Sequence, residues 1–454
     1  MRKFFSFLFL MFLSAAVHAE SMNDLLKDVS GISDADHREA LATNRLSLFN
    51  AYARAVMDTE RLRIGREAFL QAIARKDQSF GVFLPYVSLQ GAYILPGTIK
   101  STSVPLAGGS ATGLSLYFRQ NILTGLSSLG DYQSARSVEK ISLMQTRHDA
   151  GLLLLDLAGV YYNALIMERD IRNNNEMLRL YSRMRDELRR RVALGRSRSS
   201  DLLRTDTQIC QLEAQIKSME NQYDTFRRSL ATLTGMTGDF VMDDSHVLDD
   251  ISDAGGRIEE MVSRRWDVRS AEESLERSRI DLRTAWGGHM PTVFVQGAYT
   301  LERRYPGTDY YAGIGAELPL FSGGQVTARI NEARSLSRAA ELILDNTKRL
   351  ARQDIMNAMS SYRMSVDETA AFKKAYDSAR NNYSAVSLDY SRDRVTILDL
   401  LTSLTTLQSA RNDYENSMLK QRLNRVWLGV ATCELRDDGI HKLKKMKVQG
   451  QGEK

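Results

Sequence analysis

Two aspartates stand in matching settings 198 positions apart, Asp201 in "SSDLL" and Asp399 in "TILDLL". Each is followed by a leucine pair and preceded by hydroxyl residues, the pattern of a helix start. Ser199 or Ser200 is expected to cap the first helix, with Asp201 in its opening turn. Thr396 and Asp399 form a T-x-x-D pattern resembling a capping box. Carboxylates so placed cap helices and, when copies crowd around one opening, attract cations and repel anions. Other chemistry finds little support. Beyond residue 19 the histidines His37, His148, His246, His289 and His441 show no ligand spacing, so no metal site is expected. No cofactor is expected either, and no catalytic constellation is found.

What positions these aspartates is a tandem repeat. "LPYVSLQGAY" (84–93) returns as "MPTVFVQGAY" (290–299), and "LSLYFRQNILTG" (114–125) aligns with "AGIGAELPLFSG" (312–323). The period, about 200 residues, is too long for a solenoid. All six prolines, at 85, 96, 105, 291, 306 and 319, lie in two windows that also hold alternating segments. Within them Val87, Leu89, Gly91 and Tyr93 oppose Ser88, Gln90 and Ala92, and Leu114, Leu116 and Phe118 oppose Ser115, Tyr117 and Arg119. In the second copy Val293, Val295, Gly297 and Tyr299 oppose Phe294, Gln296 and Ala298, while Ala312, Ile314, Ala316 and Leu318 oppose Gly313, Gly315 and Glu317. One apolar and one polar face over about ten residues is the pattern of a membrane-spanning strand.

Outside those windows nothing breaks a helix at proline's cost of about 3 kcal/mol. Helices of near 67 residues are therefore expected from Leu126 to about Val192 and from Gly324 to Arg392, each roughly 100 Å long at 1.5 Å per residue. Each returns along a shorter helix, 201–235 or 397–432. The first return helix spaces Ile209, Leu212, Ile216, Met219, Tyr223, Phe226, Leu230 and Leu233 as a coiled-coil seam. The organisation read from the sequence is a signal peptide at 1–19, a first repeat at 20–235 and an acidic linker at 236–256. A second repeat at 257–433 and a polar, lysine-rich tail at 434–454 follow. The first repeat carries strands near 85–95 and 113–123 and a helical hairpin at 126–235. The second carries strands near 291–302 and 310–321 and a hairpin at 324–432.

The signal peptide has a basic start, an apolar run from Phe4 to Leu13 and small residues before Glu20. No cysteine follows the cleavage site, so the N-terminus is expected to be non-lipidated. Loss of Arg2 and Lys3 lowers the formal charge from +5 to +3, and without a basic stripe nucleic acid is excluded as a partner. Cys210 and Cys433 are too few for a disulfide framework. With the repeats side by side they stand roughly 35–40 Å apart in height, so both are expected to be unbridged. Four strands cannot close a barrel, and an open edge in hydrocarbon leaves backbone groups unsatisfied. Closure must come from other chains, and three protomers, with twelve strands, leave room for a lumen.

The chain resembles the TolC-like outer-membrane efflux and export channels. The resemblance rests on the strand starts at Leu84 and Met290, the turns "QNILTG" and "LPLFSGG", and the tips "LGRSRSSDLL" and "YSRDRVTILDLL", each motif present twice in order. It implies a mainly α protomer with a small β portion, and a homotrimer whose twelve-stranded barrel in outer-membrane lipid continues into a twelve-helix periplasmic tunnel. The implied role is the exit duct of a tripartite efflux or type I secretion system. Its implied partners are a periplasmic adaptor and an inner-membrane transporter of RND or ABC type. The implied periplasmic gate falls on Asp201 and its partner Tyr390, the pore carboxylate on Asp399, and the adaptor-docking tip on Gly195, Ser199, Ser200 and Asp393. Three positions depart from the family pattern. The gate arginine falls on Val395, with Arg394 adjacent; a second pore carboxylate is Thr402; and the second tip glycine is Asp393. A coiled-coil adhesin or envelope spacer without conduction is the alternative reading, and it leaves the four amphipathic strands unexplained.

Overall fold

The computed structural model describes residues 29–43, 45–93, 112–236, 240–244, 258–301, 310–392 and 394–435. The expected signal peptide, most of the linker and nearly all of the tail lie outside them. In chain order the elements are α1 (Asp34–Ala42), β1 (Arg45–Leu46), α2 (Leu48–Asp58), α3 (Glu60–Gly81), β2 (Tyr86–Tyr93), β3 (Thr112–Thr124), α4 (Ser127–Ala193) and α5 (Ser199–Thr234). They continue with β4 (Val241–Met242), α6 (Ile258–Arg264), α7 (Trp266–Trp286), a 3-10 turn (Gly287–His289), β5 (Thr292–Thr300), β6 (Tyr310–Glu317), α8 (Gln325–Ser391) and α9 (Ile397–Ala431). Both α4 and α8 run for 67 residues.

The chain divides into two compact units that cut across the repeat. One comprises Met1–Arg66, Thr146–Arg265 and Leu350–Lys454, the other Glu67–Gln145 and Trp266–Arg349. Each draws segments from both copies, so the sequence repeat is not the unit of packing.

In the first unit, α2 buries eight of its eleven residues, and Tyr52 donates its hydroxyl to the Ala150 carbonyl at 3.3 Å. Strands β1 and β4 pair in parallel, Arg45 with Val241 and Leu46 with Met242. The buried Tyr161 hydroxyl reaches the carbonyls of both Leu46 (3.1 Å) and Asp243 (2.7 Å). Arg169 of α4 and Arg422 of α9 both donate to Asp244. The described stretch 240–244 is thus pinned to both repeats. Burial pushes the Tyr52, Tyr161 and Tyr162 hydroxyls far above the usual tyrosine range, so they act as neutral hydrogen-bonding groups. Cys210 is exposed, Cys433 is half-buried, and no disulfide joins them.

The second unit carries an antiparallel sheet in the order β2-β3-β5-β6. Its register aligns Leu89 with Leu116, Phe118 with Gly297 and Val295 with Ile314 on one face. On the other it aligns Ser88 with Tyr117, Arg119 with Gln296 and Gln296 with Gly313. The period-two pattern therefore carries across all four strands, giving one mainly apolar face, apart from Gln120, and a mixed face where Tyr117, Phe294 and Tyr311 stand beside the polar side chains. Two strand glycines make room for rings. The Phe118 ring occupies the space of a Cβ at Gly297, and the Phe294 ring does so at Gly315. The strand-to-helix corner needs glycine for another reason. Gly125 has φ +58°, and a Cβ there would strike the Gly287 carbonyl oxygen, while a Cβ on Gly287 would strike the carbonyl of Gly125. Only two glycines allow that backbone approach.

Candidate functional site: the helical tips

The tips of both hairpins belong to the first unit and share one apolar core. Met177, Tyr181 and Leu188 of α4, Ile209, Leu212 and Ile216 of α5, and Ile397, Leu400, Leu401 and Leu404 of α9 are buried together. Leu202, Tyr383, Val386 and Tyr390 pack against them. Leu202 after Asp201 and the pair Leu400 and Leu401 after Asp399 thus serve packing, while Leu203 stays exposed, and the carboxylates face outward. Asp399 is exposed and Asp201 half-exposed.

The two aspartates differ in their local bonds. Thr396 caps α9, accepting from the Asp399 amide at 3.3 Å. The Asp399 Oδ2 accepts in return from the Thr396 hydroxyl (2.6 Å) and amide (2.9 Å). These bonds, the hydroxyl's foremost, hold the Asp399 carboxyl below the usual carboxylate range. The expected capping of the first return helix by Ser199 or Ser200 is not what forms. The extended N-cap residue is Arg198 (φ −84°, ψ 144°), which makes no side-chain cap, and Ser199 and Ser200 are already helical and exposed. A hydroxyl caps only from the extended residue before the helix, and the turn places Arg198 there. Asp201 sits in the first turn, but lacks the hydroxyl partner that Asp399 has.

The Arg191 guanidinium lies 5.1 Å from the Tyr390 ring centre, a cation–π contact between the ends of α4 and α8. Glu187 holds Arg191 from the other side at 3.0 Å. Arg394 is exposed, its amide bonded to the Asp389 carbonyl at 3.0 Å and its guanidinium 3.6 Å from the Asp389 carboxylate. Gly195 turns the chain at φ +70°, with open space where a Cβ would sit. Asp393 lies outside the described residues.

Sequence reasoning missed a polar ladder between α4 and α9. Asn173 donates to Asn412 (3.0 Å) and Glu415 (2.9 Å), Gln408 to Asn174 (2.9 Å), Asn416 to Asp170 (3.2 Å), and Arg411 to Glu176 (2.7 Å). Burial raises the Asp170 carboxyl above its usual range against the Asn416 bond. Beside the ladder, Met177, Leu180, Tyr383, Leu404 and Arg380 line an open groove of about 320 Å³. Among the described residues no group of three His, Cys, Asp or Glu side chains is placed to hold a metal ion.

Residues 258–431, from the first residue of α6 to the last of α9, match the model of the outer membrane efflux protein family. The outer membrane protein TolC of Escherichia coli is 21% identical over 420 residues, covering 87% of this chain and 83% of TolC. The second repeat is thus similar to the outer membrane efflux protein family. Nodulation protein T of Rhizobium leguminosarum bv. viciae is 20% identical over 373 residues, covering 76% of this chain and 75% of that protein. Among solved structures, CusC superposes with a TM-score of 0.75 at 15% identity, covering 86% of this chain and 94% of CusC. The Campylobacter jejuni CmeC channel gives 0.72 at 15% identity, with 88% of each chain covered. The chain has the protomer fold of those channels. Its match to the family model begins and ends with the helices of the second repeat.

Proposed function

We propose that three copies of this chain form the outer-membrane exit duct of a tripartite efflux or type I secretion system. The observation that carries this reading is the four-stranded sheet, with open edges at β2 and β6 and one mainly apolar face. An open edge is untenable in hydrocarbon, and twelve strands from three chains remove every edge while leaving a lumen. The helices support the same assembly. Leu336, Ile343, Leu350 and Met364 recur on α8 at multiples of seven residues, each more than half exposed. A second copy covering that stripe would complete a coiled-coil seam.

In the trimer the three Asp399 carboxylates form the pore ring, and Asp201 and its partner Tyr390 belong to the periplasmic gate. Arg394 takes the place of the gate arginine. Gly195, Ser199, Ser200 and Asp393 meet the periplasmic adaptor, which links the duct to an RND- or ABC-type transporter. Substrates pass without chemistry. The deciding experiment measures the detergent-solubilised protein's mass and its current in planar bilayers. A trimer that conducts supports the duct. A stable, water-soluble monomer removes it, and a trimer without current returns the reading to an envelope spacer.

A further inference from the structure

The first hairpin tip carries a positive charge that the described residues do not neutralise. Between residues 183 and 206 lie eight arginines, no lysine and four carboxylates (Asp186, Glu187, Asp201 and Asp206). Two arginines are held locally, Arg185 by Asp186 and Arg191 by Glu187. Arg183, Arg189, Arg190, Arg196, Arg198 and Arg204 are exposed, and among the described residues none has an ion-pair partner. They sit on the last turns of α4, the Gly195 turn and the first two turns of α5. Leu194 and Leu203, about two-thirds exposed, stand among them. Among the described acids of the second tip, Asp389 is engaged by Arg394 and Asp399 by Thr396.

We propose that this tip is an arginine-lined docking surface for an acidic protein partner, whose carboxylates supply the counter-charges missing here and whose apolar side chains cover Leu194 and Leu203. The inference rests on the reading that the tip docks an adaptor, and adds the partner's chemistry. The exclusive use of arginine favours planar, two-pronged pairing with carboxylates over the point-charge attraction lysine provides. Arginines beside exposed leucines on a rigid helical hairpin have the make-up of an interface centre rather than of a solubilising fringe. A protein occupant follows from that mixture, since a phosphate-covered surface leaves Leu194 and Leu203 uncovered.

The test uses the full chain in detergent and three probes: poly-L-glutamate, phosphatidylglycerol vesicles and phosphatidylcholine vesicles. The variants are Arg190→Glu/Arg196→Glu/Arg198→Glu at the tip and the charge-matched Arg63→Glu/Arg172→Glu/Arg228→Glu elsewhere. Poly-L-glutamate affinity should fall at least tenfold in the tip variant, under threefold in the control, and steeply with salt as exposed pairs are screened. In cells the tip variant should lose transport while remaining trimeric. Equal loss in both variants overturns the proposal, as does phosphatidylglycerol binding that falls with the tip charges while poly-L-glutamate binding does not. Salt-dependent dissociation of the tip-variant trimer also overturns it, by assigning the arginines to a neighbouring protomer. If Gly195→Trp blocks transport and the tip variant does not, docking stands and its electrostatic character falls. If neither blocks transport, the docking reading itself fails.

Discussion

Adjacent residues of β6 offer a clean test of which sheet face meets lipid. Ile314 pairs with Val295 on the apolar face and is 77% exposed in the protomer. Gly313 pairs with Gln296 on the polar face, and a Cβ there meets nothing within 4 Å. A lysine at either position therefore fits sterically, and only its surroundings differ. On the lipid face of a barrel, a lysine near mid-strand costs roughly 2–4 kcal/mol, so three copies cost about 6–12 kcal/mol per assembly. At 1.4 kcal/mol per factor of ten, even the lower figure reduces the correctly assembled fraction by about four orders of magnitude. On the lumen side the lysine remains in water. Ile314→Lys should thus abolish the trimer band on unboiled gels of outer membranes, and block insertion into vesicles. Gly313→Lys should leave both near wild type. Equal assembly of the two variants, or the reverse order, refutes the face assignment and with it the barrel.

Single-channel recordings should show cation preference and block by multivalent cations from the periplasmic side, both lost in Asp399→Ala and retained in Asp201→Ala; persistence of block in Asp399→Ala removes it from the pore ring. Because its folded pKa is lowered, Asp399 contributes stability above the unfolded carboxylate range that is lost as pH falls through the folded value. The melting temperature of Asp399→Asn should accordingly converge on wild type in acid. Asp170 has the opposite sign, since its raised folded pKa penalises folding once the carboxyl ionises. Asp170→Asn should raise the thermal midpoint at pH 7.5 and lose that advantage at pH 4, as circular dichroism would follow. Gly195→Trp should abolish transport with the trimer intact, whereas Gly195→Asn, which tolerates the left-handed backbone, should transport; unchanged transport in the tryptophan variant takes the tip out of docking.

The elements of this protein were legible in its residues because they depend on neighbours close in sequence. Proline confined to two windows left the 67-residue helices unbroken, and period two sorted each strand into faces. The T-x-x-D pattern placed the Thr396–Asp399 cap, since both partners lie within one turn. The same reasoning failed at Ser199, where the cap position depends on how the chain leaves the Gly195 turn, and that exit puts Arg198 in the extended place. Contacts between distant segments were decided only by tertiary structure. Asn173 meets Asn412 because two helices from different repeats settle in one register, and neither residue's own stretch announces the other. Arg191 covers Tyr390 because the ends of α4 and α8 come together at the tip. Asp244 binds Arg169 and Arg422 because both repeats flank the linker. A period along the chain specifies which face of each element is apolar, but the pairing of those faces is set by the packing that buries the most of them, and here that packing runs across the repeats.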